Sequence, residues 1–234
     1  MLKVYNIVMR TCGMKKILTL LFLLIFTVSE AIAAVNPVPV GVSLPSKYTP
    51  EYMETLNKEY KSVSKDQIIY VALDMMKGTT ADYSRKAILG YNLTQYPMKI
   101  SFKNLSELNE SYASFDAVGW KKRGKLYIYI NPKHENAPPA ALAALLAHEA
   151  LHQDEYNSLS EETYAWTMEA TVWCEMIKRY PESNNLESSL VGRENILKQL
   201  LEKGAYTNKY IKKTVYSNSG YKNLPITSPG FSEE

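Results

Sequence analysis

Two histidines four residues apart, with a glutamate directly after the first, have the types and spacing that best suit chemistry in this chain. They are His148, Glu149 and His152, in the run "LLAHEALHQDEY". Residues four apart on a helix carry their Cβ atoms about 5–6 Å from one another, so both imidazoles can bind one Zn²⁺ ion. Glu149 is rotated by about 100° from His148, beside the ion rather than on it. We predict that Glu149 is the general base and acid towards a water whose pKa zinc lowers to about 7.

Two histidines leave a zinc site incomplete, and the sequence offers several candidates for a third ligand. One class of zinc peptidases has a third histidine six residues after the second, behind a glycine. This chain has Ser158 and Glu155 at those positions, which excludes that class. The other common solution is a glutamate on the following helix. The available carboxylates are those of Glu161, Glu162 and Glu169, and the residues alone leave the choice between them open.

The segments around the motif predict helices, then strands, then helices again. Capping residues, prolines and terminal glycines favour helices in residues 50–63, 64–78 and 79–90. Alternating or β-rich runs favour strands in residues 96–105, 112–120 and 125–131, the last two joined as a hairpin. An alanine- and leucine-rich helix over 138–156 carries both histidines, and Ser158 caps the next helix, which runs to about Tyr180. One more helix follows over 186–204. This order predicts an α+β fold in which a small antiparallel sheet packs on the helix that carries His148.

The first 33 residues predict a secretory signal peptide. Met14 is followed by two lysines, an uncharged apolar core and the small-residue box Ala31-Ile32-Ala33, and residues 1–13 then reflect an upstream start codon. The apolar core is too short to span a bilayer comfortably. We therefore expect a secreted or periplasmic protein with no stable membrane anchor. Residues 34–49, with three prolines and no periodicity, predict an irregular leader.

The charge of the chain is balanced once the signal is set aside. Removing Lys3, Arg10, Lys15, Lys16 and Glu30 from the 27 basic and 24 acidic side chains leaves 23 of each. A neutral chain with no basic stripe is a poor candidate for binding nucleic acid, so we expect no such partner.

Four further residues near the motif have structural rather than catalytic interpretations. Cys174 is the one cysteine after the signal, and the apolar run "ATVWCEMI" predicts a buried small side chain. His134 lies in the segment "NPKHENAPP", which predicts a solvated loop residue. Tyr156 and Tyr164 are expected to pack, in a chain that has 18 tyrosines.

A resemblance to a known family rests on two runs. "HEALH" at 148–152 followed by "EETYA" at 161–165 resembles the gluzincin metallopeptidases. The order from "GKLYIYIN" through a proline-bearing loop to "LAALLAHEALH" is similar to small, minimal gluzincins, including bacterial peptidases that cleave phage repressors. The resemblance covers about residues 112–175. It implies that Glu162, three residues before Ala165, is the third zinc ligand. Glu169 would then support a ligand histidine or take the place of Glu162.

The resemblance implies a zincin-like metallopeptidase domain over residues 50–205 and a C-terminal tail over 206–234 that we expect to be mostly irregular. It implies a secreted, zinc-dependent hydrolase of peptide bonds that acts on a peptide or protein, with the strand "KLYIYIN" as the edge along which an extended substrate lies. The alternative is a non-catalytic, zinc-stabilised secreted binding domain. The sequence leaves open the cleavage specificity, the oligomeric state and whether the N-terminal helices form a pro-region.

Overall fold

The computed structural model describes residues 48–91, 96–185 and 187–231. The predicted signal peptide, and the predicted leader up to residue 47, lie outside these described residues. Seven α-helices and one three-stranded sheet form the described part of the chain, which confirms the α+β prediction. None of the helices within these ranges is long and apolar enough to cross a membrane.

The helices and strands follow one another as the sequence predicts, with one addition near the C-terminus. The helices are α1 Pro50–Tyr60, α2 Gln67–Met75, α3 Asp82–Ile88, α4 Pro139–Glu149, α5 Leu159–Arg179, α6 Ser189–Lys203 and α7 Lys209–Ser217. The strands are β1 Lys99–Phe102, β2 Ala117–Lys122 and β3 Lys125–Ile130. Short 3₁₀ turns lie at Leu105–Glu107, Glu110–Tyr112, Pro132–His134, Pro181–Asn185 and Ser219–Tyr221.

The sheet is mixed, with the strand order β1-β3-β2. β2 and β3 form an antiparallel hairpin, whose two-residue turn is Arg123 and Gly124, both with positive φ. β1 pairs with β3 in parallel, so the prediction of an antiparallel sheet is wrong for this pair. The connection over residues 103–116 carries the chain past the position next to β1, and β3 then occupies that position between β1 and β2. β3 is therefore central, and β2 rather than "KLYIYIN" is the edge strand nearest the histidines.

Helix α4 lies at the centre of the molecule's core. Every residue from Ala140 to Glu149 is buried, because alanine and leucine side chains allow neighbours to pack around the whole helix. The inner face of the sheet, with Ile100, Ile128 and Ile130, belongs to the same core cluster. α2 and α5 pack against α4, and α6 and α7 pack against the other side of α5. Cys174 is buried in the cluster that α5 shares with α6 and α7, as predicted.

The predicted end of the helix that carries His148 is wrong, and the C-terminal tail contains one helix. Helix α4 ends at Glu149 rather than continuing to residue 156, because side chains donate hydrogen bonds to the carbonyls at its end. Ser84 Oγ donates to the Ala147 carbonyl at 3.0 Å, and Gln153 Nε2 donates to the Ala150 carbonyl at 2.9 Å. The expected irregular tail contains α7, which forms because Ile211 and Val215 bury their side chains.

Candidate metal centre

The two motif histidines lie at the end of α4 and in the turn that follows it. His148 is in the last turn of the helix, and His152 lies three residues beyond Glu149. Their rings are 5.3 Å apart between centroids and inclined at 61°. The four-residue spacing therefore brings the imidazoles together, although the second one is no longer on the helix.

Glu162, in the first turn of α5, faces the Nε2 atoms of both histidines. Its Oε2 lies 3.8 Å from His148 Nε2, and its Oε1 lies 3.7 Å from His152 Nε2. Asn157 Nδ2 donates a hydrogen bond of 2.6 Å to Oε1. Oε2 is buried and has no hydrogen-bond partner among the residues that the structure describes. The two imidazoles and one carboxylate thus point at a common centre that lacks one positive partner.

Glu161 and Glu169 lie on the opposite side of the histidine rings. Glu169 is 2.9 Å from His148 Nδ1, and Glu161 is 2.9 Å from His152 Nδ1. A carboxylate on Nδ1 accepts its proton and leaves the lone pair on Nε2, which is the tautomer that a metal ligand needs. Of the three candidate carboxylates, only that of Glu162 is therefore directed to the side where the Nε2 atoms meet.

Ser158 caps α5 as predicted, since its Oγ accepts from the Glu161 amide at 3.1 Å. In a capping box the glutamate three residues after the cap also accepts from the amide of the cap residue. Here the Ser158 amide donates to Asn157 Oδ1 at 2.7 Å instead. Glu161 uses one oxygen for His152 and accepts from Ser228 Oγ with the other, at 2.9 Å. The glutamate that the capping rule assigns to the helix is instead used to orient an imidazole.

Glu149 borders the same centre from α4. Its Oε1 is 3.9 Å from His148 Nε2, and ligand atoms of His148, Glu149 and His152 lie within 4.8 Å of one another. Burial raises the pKa of Glu149, although the nearby histidines oppose this effect. The carboxylate is consequently a stronger base than an exposed one.

The electrostatics of the centre favour a cation. Burial alone would lower the pKa of both histidines, but the surrounding carboxylates raise it, to about 9 for His152. Four glutamates surround the two imidazoles, and the histidine shifts show how strongly their field attracts positive charge. Two histidines and one glutamate are residue types that bind zinc in one class of zinc sites, and His148, His152 and Glu162 are of these types. With the orphaned Oε2, these residues fit a zinc ion.

A chain of ionic contacts extends from His148 through Glu169, Arg193 and Asp116 to His134. Arg193, on α6, binds both oxygens of Glu169, with Nη2 at 2.9 Å from Oε2. Its Nε is 3.1 Å from Asp116 Oδ2, and Asp116 Oδ1 is 2.7 Å from His134 Nε2. The prediction that His134 is solvated is wrong, because its side chain is 1% exposed and bound to Asp116. A single loop histidine carries no sequence signal for a partner that precedes it by 18 residues.

A cleft opens over the centre. It has a volume of about 480 Å³ and is bordered on one side by β2 and on the other by Tyr221 and Leu224 of the C-terminal segment. A second cavity of about 420 Å³ adjoins it and shares Phe115, His148, Glu149 and Tyr221. Tyr156 is on the cleft wall and 55% exposed, whereas Tyr164 packs its ring against Phe231, 5.8 Å away.

Tyr221 is the site residue that sequence reasoning missed. Its hydroxyl accepts from Trp166 Nε1 at 3.3 Å. Burial and the nearby Glu162 carboxylate raise its pKa, so the phenol stays protonated and can donate. Tyrosines are common in this chain, and Tyr221 is 59 residues from Glu162 in sequence, so no local pattern marks it. Asn157 had a weak signal, because a turn asparagine directly before a helix cap tends to bond nearby groups.

Comparison with known proteins adds no relative to this picture: no protein-family model, no curated protein and no solved structure matches the chain.

Proposed function

We propose that this protein is a zinc-dependent peptidase of gluzincin type, with a zincin-like fold, in which His148, His152 and Glu162 bind the ion. The observation that carries the proposal is the approach of both Nε2 atoms to Glu162, whose Oε2 has no partner. The carboxylates on the two Nδ1 atoms support it, because they hold the rings in the tautomer that binds metal.

Each residue has a separate part in the proposed hydrolysis. When bound, zinc supplies Lewis-acid chemistry, which polarises the scissile carbonyl and makes water more acidic. Glu149 accepts a proton at its carboxylate as water attacks, and it then gives that proton to the leaving nitrogen. Tyr221 donates its hydroxyl proton in a hydrogen bond to the negative charge that develops on the carbonyl oxygen.

The edge strand β2 supports a peptide as the substrate. β2 is at the end of the sheet, and its residues 117–121 border the cleft over the centre. An extended peptide can add to such an edge through main-chain hydrogen bonds, which present its scissile bond to Glu149 and Tyr221. The predicted signal peptide supports an activity outside the cytoplasm, in the periplasm or the surrounding medium.

The decisive experiment separates metal binding from hydrolysis. Zinc content and casein cleavage are measured for the wild type, Glu149→Gln and His148→Ala, with Glu202→Gln as a charge-matched control on α6. We expect about one zinc per chain in the wild type and in both glutamate variants. Cleavage should fall by at least about 100-fold in Glu149→Gln, both properties should be lost in His148→Ala, and the control should behave as wild type.

Other outcomes separate the alternatives. Cleavage at the wild-type rate in Glu149→Gln contradicts the mechanism. A wild type that holds zinc firmly but cleaves neither casein nor a library of extended peptides favours the non-catalytic, zinc-stabilised binding domain. A wild type that holds no zinc, even after loading, contradicts both.

A further inference from the structure

The balanced total charge hides a local excess of lysine in residues 203–231, which lie between Glu202 and the acidic pair Glu233 and Glu234. Residues 203–231 contain five lysines, four tyrosines, no arginine and no acidic residue. The lysines are Lys203, Lys209, Lys212, Lys213 and Lys222. The expectation that the chain has no basic stripe therefore fails in this segment, which includes α7.

Helix α7 carries three of these lysines on one face. Lys209, Lys212, Lys213 and Tyr216 have the spacing i, i+3, i+4 and i+7, which places them along one side of a helix. The apolar residues of the other side, Ile211 and Val215, are buried against α5 and α6. The apolar side of α7 therefore packs in the core, and the side with Lys209, Lys212 and Lys213 faces away from it.

Tyrosine rings accompany the lysines on this surface. Lys203 Nζ lies 4.7 Å from the ring centre of Tyr210, and Lys212 Nζ lies 5.2 Å from that of Tyr216. Tyr206 directly precedes α7 and is 66% exposed. Ala205 and Tyr206 both have the left-handed backbone conformation, with φ of 52° and 63°, which residues with a Cβ rarely adopt. The loop therefore holds a large ring in solvent at the expense of local strain.

We propose that α7, with Lys203 and Tyr206 beside it, docks the protein on a membrane surface of anionic phospholipids. Lysine ammonium groups attract phosphate headgroups over about one Debye length, and tyrosine rings favour the headgroup level, where one end is apolar and the other hydrated. The absence of arginine distinguishes this surface from one that recognises nucleic acid, because arginine forms the bidentate contacts to phosphate and guanine.

The shape of the surface also favours a broad partner. The residues of α7 line neither the cleft over the centre nor its adjoining cavity, and the cationic face is a convex helix side. Because the apolar side of α7 is buried, attachment rests on charge and on partial insertion of rings, so it is reversible and salt-sensitive. This inference does not depend on peptidase activity.

Vesicle sedimentation tests the docking surface. The purified mature chain, residues 34–234 without the predicted signal peptide, is mixed with vesicles of equimolar phosphatidylcholine and phosphatidylglycerol, or of phosphatidylcholine alone. The test variant replaces Lys209, Lys212 and Lys213 with glutamine. The control variant removes the same charge elsewhere: Lys122, Arg123 and Lys125 of the exposed β2–β3 hairpin are replaced with glutamine. Each lysine near an anionic surface contributes about fivefold in partitioning, so the α7 variant should bind about 100-fold more weakly.

The expected pattern is tight binding to the anionic vesicles alone, loss in the α7 variant, retention in the hairpin control and release at high salt. Circular dichroism of both variants confirms that these surface changes leave the fold intact. Equal partitioning of the wild type to both vesicle types overturns the proposal, as does equal loss in the two variants. Tighter binding to duplex DNA than to vesicles, dependent on the same lysines, also overturns it and assigns the surface to nucleic acid.

Discussion

At the scale of single residues, His148, which is buried, and His152, which is partly buried, each lie between two carboxylates. Glu169 and Glu161 bind the Nδ1 atoms, whereas Glu162 faces the Nε2 atoms. These contacts hold a proton on each Nδ1, so Nε2 is the nitrogen that can give up its proton and bind an ion. The centre contains more carboxylates than three metal ligands would require, because Glu161 and Glu169 orient the two imidazole rings.

The contact behind His148 predicts an effect on metal affinity. Glu169→Gln removes the charge that holds the His148 ring, so we expect zinc to bind about 10- to 100-fold more weakly. Competition with a coloured chelator measures the dissociation constant. Glu175→Gln is the matched control, because Glu175 is on the same helix but binds Thr80 instead of a histidine. An unchanged affinity in Glu169→Gln would show that this carboxylate has no part in the centre.

Asp116 predicts a pH-dependent contribution to stability. Burial alone would raise its pKa, but the hydrogen bond from His134 and the charges of Arg193 and Lys133 lower it below the usual 3.8. A lowered folded-state pKa means that the stabilisation is complete above pH 3.8 and is lost as the pH falls through the folded value. Asp116→Asn should therefore lower the free energy of unfolding by about 2 kcal/mol at pH 7.

The difference between Asp116→Asn and wild type should shrink as the pH falls below 3.8. Urea unfolding at a series of pH values measures it. Chelator in every sample keeps metal loss out of the comparison. A difference that is constant with pH would mean that packing, rather than charge, explains the effect of the substitution.

At the scale of elements, the position of His152 depends on how closely β2 approaches the end of α4. A Cβ built on Gly119 would lie 2.7 Å from His152 Cβ and 3.1 Å from the Glu149 carbonyl oxygen. Neither atom is the end of a flexible side chain, so a methyl group here requires the strand or the turn to shift. Gly119 is thus the residue that allows the edge strand to border the centre.

Gly119→Ala should displace His152 and weaken zinc binding by at least about 10-fold, because ligand geometry tolerates only small shifts. Gly192→Ala on α6 is the control: nothing lies within 4 Å of its built Cβ, so it should keep zinc affinity. It should also raise the free energy of unfolding by up to about 1 kcal/mol, through helix propensity. Zinc titration with thermal unfolding compares the two. Equal zinc affinity in both variants would contradict the role given to Gly119.

Sequence patterns predicted the elements well where the signal is local. The Ser158 cap, the helix from Pro139 that carries His148 and the hairpin at Arg123–Gly124 all follow from residues within a few positions of one another. The parallel β1–β3 pairing did not follow, because strand order depends on the length and path of a connection rather than on composition. The same is true of the end of α4 at Glu149, which depends on Ser84 from another helix.

The candidate site divides in the same way. His148, Glu149 and His152 are close in sequence and therefore lie near one another, although the position of His152 also depends on β2 at Gly119. A single short turn brings Glu162. Tyr221 and the Asp116 partner of His134 arrive through long-range packing that no periodicity encodes. At Glu161 the capping rule predicts a hydrogen bond from the glutamate side chain to the start of the helix. The side chain contacts the His152 imidazole instead.

At the scale of the whole molecule, the C-terminal segment returns to the start of α5, which carries Glu161 and Glu162. The Leu159 and Ser160 amides donate to the carbonyls of Pro225 and Ile226, at 2.9 and 3.0 Å. These contacts satisfy amide groups that a helix start leaves without partners. The C-terminal segment thus stabilises the helix start that carries Glu161 and Glu162.

This arrangement predicts that zinc stabilises the entire fold. Without a cation, the described core contains a buried carboxylate oxygen with no partner and four glutamates around two histidines. An ion that binds only the folded chain adds about 4 kcal/mol to the free energy of unfolding at a thousandfold excess over its dissociation constant. Chelation should therefore lower the melting temperature of the wild type, and added zinc should restore it. Calorimetry should find the same response in Glu149→Gln, which keeps the three ligands, and none in His148→Ala. A wild-type melting temperature that is indifferent to zinc and chelator would mean that the centre holds no ion in the folded protein.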